Sequence, residues 1–108
     1  MKLFIVESPT KARTIQRYLG RDFVVRSTFG HIMDLPRREL GVDEETLKAR
    51  YVFLKGKKKV VSSLERIARK SDEIFIGTDP DREGEAIAFF LYQLLKKTGK
   101  PIRRAVFY

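Results

Sequence analysis

Two short stretches of the chain, residues 3–6 and 74–76, are apolar without interruption and give way at once to polar residues. Unbroken runs of this length suit strands buried on both faces, because a strand with one wet face alternates. Elsewhere the apolar positions recur at helical spacing. Ala12, Ile15 and Leu19 share one face of a helix that Ser8 caps, Pro9 opens and Gly20 ends. Val60, Val61, Leu64, Ile67 and Ala68 make a second stripe. Ile87, Phe90, Leu91 and Leu94 make a third, in a helix beginning near Glu83. Further strands are expected over residues 23–28, 51–54 and 102–108, the last after the break at Gly99 and Pro101. Residues 36–50 carry no period, and Pro36, Gly41 and mixed charges predict an irregular excursion there. Buried strands alternating with amphipathic helices predict one α/β domain over residues 1–108, with a central, mostly parallel sheet flanked by helices.

Composition narrows the setting. With 43% hydrophobic residues in 108, the chain can bury a core without a covalent staple. It has no cysteine, so disulfides and cysteine-based zinc sites are excluded. No apolar run approaches the roughly 20 residues of a membrane span, and Met1-Lys2 leads straight into a strand rather than a signal peptide. A cytoplasmic protein without a membrane partner is expected. Asn is absent and Gln occurs twice, a composition that leans toward a thermophilic source. Lys and Arg total 23 against 14 acids, a net charge of +9 that attracts polyanions and points to nucleic acid. A surface facing an acidic protein neighbour is the alternative. The concentrated run Lys55-Gly-Lys-Lys-Lys59 is read as a solvated helix entrance, with a DNA contact as its alternative.

Against that basic background the acids stand out. The first apolar strand delivers Glu7, and the strand at 74–76 delivers Asp79, Asp81 and Glu83. Ligands of open α/β sheets bind beyond the carboxyl ends of the strands. Parallel neighbours would therefore bring four carboxylates to one edge of the sheet. A divalent cation relieves their repulsion, and hard oxygen donors without cysteine favour Mg²⁺. The metal would also let a carboxylate site accept a phosphate, helped by the helix N-terminus near Glu83. The competing reading is a capping cluster in which Arg82 pairs one of the acids. A lone D-x-D fits that reading, but the second acidic strand end at Glu7 favours metal.

Rival motifs fail on particular residues. An EF-hand loop starting at Asp79 needs a glutamate at its twelfth position, where Phe90 stands. A haloacid-dehalogenase-like phosphatase places its nucleophilic Asp after the first strand, where this chain has Glu7. No phosphate-binding G-x-x-x-x-G-K-[ST] loop occurs. Among the basic groups, Lys11 and Arg13 lie on the first turns of the first helix. Lys11 could stabilise charge in phosphoryl transfer, or could be an ordinary exposed lysine. His31, the single histidine, could touch phosphate or relay a proton, or make a plain loop hydrogen bond.

The same residues carry a family resemblance. Residues 6–15 (VESPTKARTI), 30–36 (GHIMDLP) and 78–87 (TDPDREGEAI) resemble three successive blocks of type IA DNA topoisomerases and of the topoisomerase half of reverse gyrases. The fold implied is Toprim, a Rossmann-like unit shared with primases, type II topoisomerases and some nucleases. The resemblance implies that Glu7 takes part in proton transfer beside the metal and that Asp79, Asp81 and Glu83 hold Mg²⁺. It implies that Lys11 and Arg82 contact the scissile phosphate region of DNA, with Arg13 and His31 as further DNA-binding candidates. It also implies an enzyme that cleaves one strand through a tyrosine, passes another strand and reseals the break. That tyrosine lies far downstream in the family, and Tyr18, Tyr51, Tyr92 and Tyr108 match no motif for it. The chain is thus expected to be a fragment working with the remaining domains of a parent enzyme, and inactive alone. The alternatives are a Toprim nuclease or primase, and a non-catalytic nucleic-acid-binding module.

Overall fold

The computed structural model describes residues 1–34 and 52–106. In chain order the elements are β1 (Lys2–Val6), α1 (Pro9–Leu19), β2 (Phe23–Ser27), β3 (Met33–Asp34), β4 (Val52–Phe53), α2 (Lys57–Arg69), β5 (Glu73–Ile76), α3 (Arg82–Leu95) and β6 (Ile102–Arg104). Four of the strands form a fully parallel sheet in the order β2-β1-β5-β6. The two unbroken apolar runs are its central pair, Leu3 beside Ile74 and Ile5 beside Ile76.

Each central strand feeds two cores because successive side chains point to opposite faces. Leu3, Ile5, Ile74 and Ile76 pack with Val61, Leu64 and Ala68 of α2 and with Ile87, Leu91 and Leu95 of α3. Phe4, Val6 and Val25 pack on the other face with Ala12, Ile15 and Leu19 of α1. The layers are unequal. Five residues of α3 and three of α2 are buried, whereas α1 buries none completely. At roughly 1.5–3 kcal/mol per buried aliphatic side chain, the α2/α3 layer supplies most of the hydrophobic stabilisation.

The chain leaves β1 in opposite directions, to β2 through α1 and, later, to β5 on its other side. That reversal opens a crevice beyond the carboxyl ends of β1 and β5, where open α/β sheets bind ligands.

The structure refines the local expectations. The segment after Gly30, for which the sequence predicted no element, carries β3, which pairs antiparallel with β4, and Ile32 is fully buried in the larger core. One apolar residue between His31 and Met33 has no period to announce it. The helix entrance expected at Lys55–Lys59 is the first turn of α2, formed by Lys57, Lys58 and Lys59. Strands β2 and β6 stop at Ser27 and Arg104, earlier than the apolar pattern suggested. The expected excursion at 36–50 lies outside the described residues, as do Tyr51 and Tyr108.

Candidate functional site

Glu7 is the first residue beyond β1, and its side chain is 17% exposed. Its backbone carbonyl accepts the Gly30 N–H at 2.8 Å, which ties it to the end of β2. Ser8 then caps α1, its hydroxyl accepting the Lys11 N–H at 3.2 Å, and Pro9 occupies the first turn, where a missing N–H costs nothing. One helical turn after Glu7, Lys11 comes back over it.

The turn after β5 is tighter. Gly77 N–H donates to Ile5 O at 2.8 Å, continuing the β1–β5 ladder past the strand end. Thr78 is buried, and its hydroxyl donates to Gly84 O at 2.7 Å. Asp81 caps α3 by accepting the Gly84 N–H at 2.7 Å. Gly84 rests directly on the Asp79 backbone, and a Cβ there would overlap the Asp79 carbonyl. Arg104, at the end of β6, holds the turn from outside through Ile76 O at 2.9 Å, Asp79 O at 3.3 Å and the Glu85 carboxylate.

The two turns meet in one cluster. Glu7 Oε2 accepts the Asp79 N–H at 2.8 Å. The Lys11 ammonium donates to Glu7 Oε1 at 2.7 Å and also to Asp79 Oδ1. Partial burial draws the Lys11 pKa down, but hydrogen bonds and charge from Asp79 and Glu7 outweigh it, so the group is held above the ordinary lysine value. A lysine thus bridges two carboxylates from separate strand ends.

Of the four carboxylates expected to converge, Glu7 and Asp79 are brought together. Asp81 is turned to its cap, and Glu83 lies 3.4 Å from His31 Nε2. Among the described residues no three acid, histidine or cysteine side chains are gathered in a ready metal cage. The donor chemistry nevertheless suits a hard divalent cation. Asp79, Asp81 and Glu83 follow one another within a single turn, all offer oxygen, and Glu83 and Asp79 are at least half exposed. The bridging ammonium shows that the Glu7–Asp79 pair accommodates positive charge.

The other expected residues lie around this cluster. His31 reaches the site through Glu83, so β3's approach brings the second sequence block to the third. Arg82 opens α3, is exposed, and forms no ion pair with a described residue. Arg13 points to solvent with only a long contact to Thr10, 3.4 Å. Tyr18 lines an apolar groove of about 540 Å³ together with Lys11, Ile15, Thr78 and Asp79. It lies seven residues after Lys11, about 10 Å along α1. Thr78, Gly84 and Arg104 were not singled out from the sequence. Gly84 could have been, since a glycine in the first turn of a helix has no propensity reason to be there.

Comparison with known proteins identifies the family. The Toprim domain family matches residues 2–108. The chain belongs to that family. Its Toprim fold is 61% identical over all 108 residues to the DNA topoisomerase 1 of Aquifex aeolicus (strain VF5), of which it spans 20%. It corresponds to the N-terminal part of that bacterial type IA enzyme. The full-length topoisomerase I structure from Thermotoga maritima superimposes on 94% of the chain with a TM-score of 0.80 and 41% identity. The chain covers 17% of that structure. The Toprim domain therefore accounts for about a fifth of either relative, and the resemblance read from the three sequence blocks holds across the whole chain.

Proposed function

We propose that this Toprim domain is the Mg²⁺-binding, phosphate-handling part of a type IA DNA topoisomerase. The parent enzyme would relax negatively supercoiled DNA in the cytoplasm by transient single-strand cleavage, strand passage and religation. The observation that carries this reading is the meeting of Glu7, Lys11 and Asp79 at the switch point of the sheet. Asp79, Asp81 and Glu83 would hold Mg²⁺, with Glu7 beside it. The ion would supply positive charge to a phosphate next to these carboxylates. Lys11 adds a cation that stabilises charge developing on phosphate, and Glu7, bonded to it, is placed to exchange a proton with that group. Arg82 and His31 flank the cluster through the start of α3 and Glu83, where an incoming DNA backbone would meet them, and the exposed Arg13 would contact it farther out on α1.

The nucleophile would come from the remaining domains of the parent chain. Among the described residues, Tyr18 lies two turns along α1 from Lys11, and Tyr92 lies on α3 in a separate depression with Glu85 and Arg103. Neither is held against the acids, and transesterification needs a positioned nucleophile.

Calorimetry tests the metal assignment. Weak Mg²⁺ binding is expected, and it should vanish in an Asp79→Asn/Asp81→Asn variant, where Asn preserves the α3 cap. Undiminished binding in that variant would overturn the ligand set. The 108-residue chain incubated with supercoiled plasmid and Mg²⁺ should neither nick nor relax it. Relaxation lost on changing one tyrosine to Phe would show that the chain holds its own nucleophile. Metal-dependent nicking without a covalent protein–DNA link would favour a Toprim nuclease instead.

A further inference from the structure

Phe29 occupies a conformation that aromatic residues avoid. Its φ of 58° is the only positive value at a non-glycine position among the described residues. Left-handed backbone is costly for a bulky side chain and persists only where its surroundings over-determine it. Burial does not compensate here, because Phe29 is 59% exposed. The backbone around it is instead pinned on every side. Phe29 N–H donates to Ser27 Oγ at 2.9 Å, and Thr28 Oγ1 donates to Gly30 O at 2.7 Å. Thr28 N–H is bonded to Val6 O, and Gly30 N–H to Glu7 O. Lys57 Nζ donates to the carbonyls of both Thr28 and Phe29, and it sits 5.7 Å from the centre of the Phe29 ring.

The result is an exposed, rigidly presented aromatic ring directly before the Gly30 contact to the Glu7 carbonyl, with a cation lying over it. A rigid ring loses little conformational freedom on accepting a flat partner, and every nucleobase offers a π-face. Chemistry next to it points the same way. Lys55, Lys58 and Lys59, neighbours of Lys57, line a depression of about 820 Å³ with Arg66, Gly56 and Ser62. Its lining holds four cationic side chains and no acid, which suits a run of phosphates.

We propose that Phe29 is a base-stacking residue. Its ring receives one base of a single-stranded DNA segment whose backbone passes from the acidic cluster across the lysine-lined depression. A duplex is the wrong partner, because its bases are already stacked on one another and present no free face. Lys57 orients the ring and also carries charge toward the phosphates. The inference rests on the DNA-binding reading above and adds to it a contact that reads unpaired bases.

The test measures binding of the 108-residue chain to a fluorescent thymidine oligonucleotide and to versions with one abasic site at successive positions. Phe29→Ala should weaken binding to the intact oligonucleotide by about 5- to 100-fold, while Phe29→Tyr retains it. One abasic position should weaken the unsubstituted protein equally and leave Phe29→Ala unaffected, since the lost contact is the same. Phe29→Gly separates stacking from structure. It relieves the left-handed strain, so it should fold at least as stably as the parent while binding as poorly as Phe29→Ala. Equal binding by Phe29→Ala and the parent overturns the proposal and leaves the DNA-binding reading standing. The same holds if Phe29→Ala loses affinity equally at every abasic position, or if Phe29→Gly unfolds the domain. Failure of the unsubstituted chain to bind any oligonucleotide at low salt overturns both.

Discussion

After β1 a single carboxylate precedes the cap: Glu7 is followed by Ser8 and Pro9, and α1 begins. After β5 the chain takes five residues, 77–81, before α3 begins, and nearly every one is engaged. Thr78 is buried on Gly84 O, Asp79 lies under Gly84, Asp81 caps the helix, and Arg104 closes the outside. The helices differ in the same sense. α3 sinks five residues into the core, whereas α1 is seated by partly buried Ala12, Ile15 and Leu19. The acids after β5 thus sit on a rigid base, while Lys11 rides on a lightly held helix. In the proposed metal site, carboxylates that share a cation must not drift apart, and a lysine that meets them from outside can tolerate some play.

The comparison can be broken most directly at Gly84. Gly84→Ala should cost roughly 2–4 kcal/mol in urea denaturation, because the Asp79 backbone cannot move aside without disturbing the β1–β5 ladder. A loss below about 0.5 kcal/mol would show that the turn is far softer than its packing indicates. Thr78→Val should cost about 1–2 kcal/mol by removing a buried hydrogen bond at nearly constant shape. On the other side Ser8→Ala removes one partly buried cap, for about 0.5–1 kcal/mol. If Ser8→Ala proved the more damaging of the two, the assignment of rigid and light turns would be reversed.

The smallest effect is electrostatic. The Lys11 pKa is raised in the folded state, so the stability it contributes is present in full below the ordinary lysine pKa, about 10.4, and is lost as pH rises through the folded value. At neutral pH Lys11→Met should be less stable than the parent by no more than about 1 kcal/mol, since the side chain is 39% exposed and screened. The gap should narrow as pH rises past the ordinary lysine pKa toward the raised folded value, measured by urea denaturation of both proteins side by side. A gap that stays constant or widens over that interval would mean that the Lys11 charge is not what joins the two turns.

The α/β alternation was legible because continuous apolar runs and helical stripes are local signals. Residues 3–6 and 74–76 became the central strand pair for that reason, and Ser8, Pro9 and Gly20 marked the bounds of α1 with little error. Ile32 was missed, since one buried residue in a two-strand ribbon makes no pattern. Phe29 gave no signal either, because a left-handed φ is imposed by Ser27, Gly30 and Lys57, and Lys57 is 28 residues away.

By itself, then, the sequence determined that Glu7 and the acids Asp79, Asp81 and Glu83 would follow two buried strands, with Lys11 on the helix after Glu7. It did so because strand ends and caps are written within a few neighbouring residues. Only the tertiary structure decided their company. It brought Glu7 and Lys11 against Asp79 and turned Glu83 toward His31, whereas the Asp81 cap is local. The long-range partnerships depend on strand order and register, which for Glu7, Lys11 and Asp79 bring residues about 70 positions apart within hydrogen-bonding distance, and no local pattern in the chain encodes that closeness.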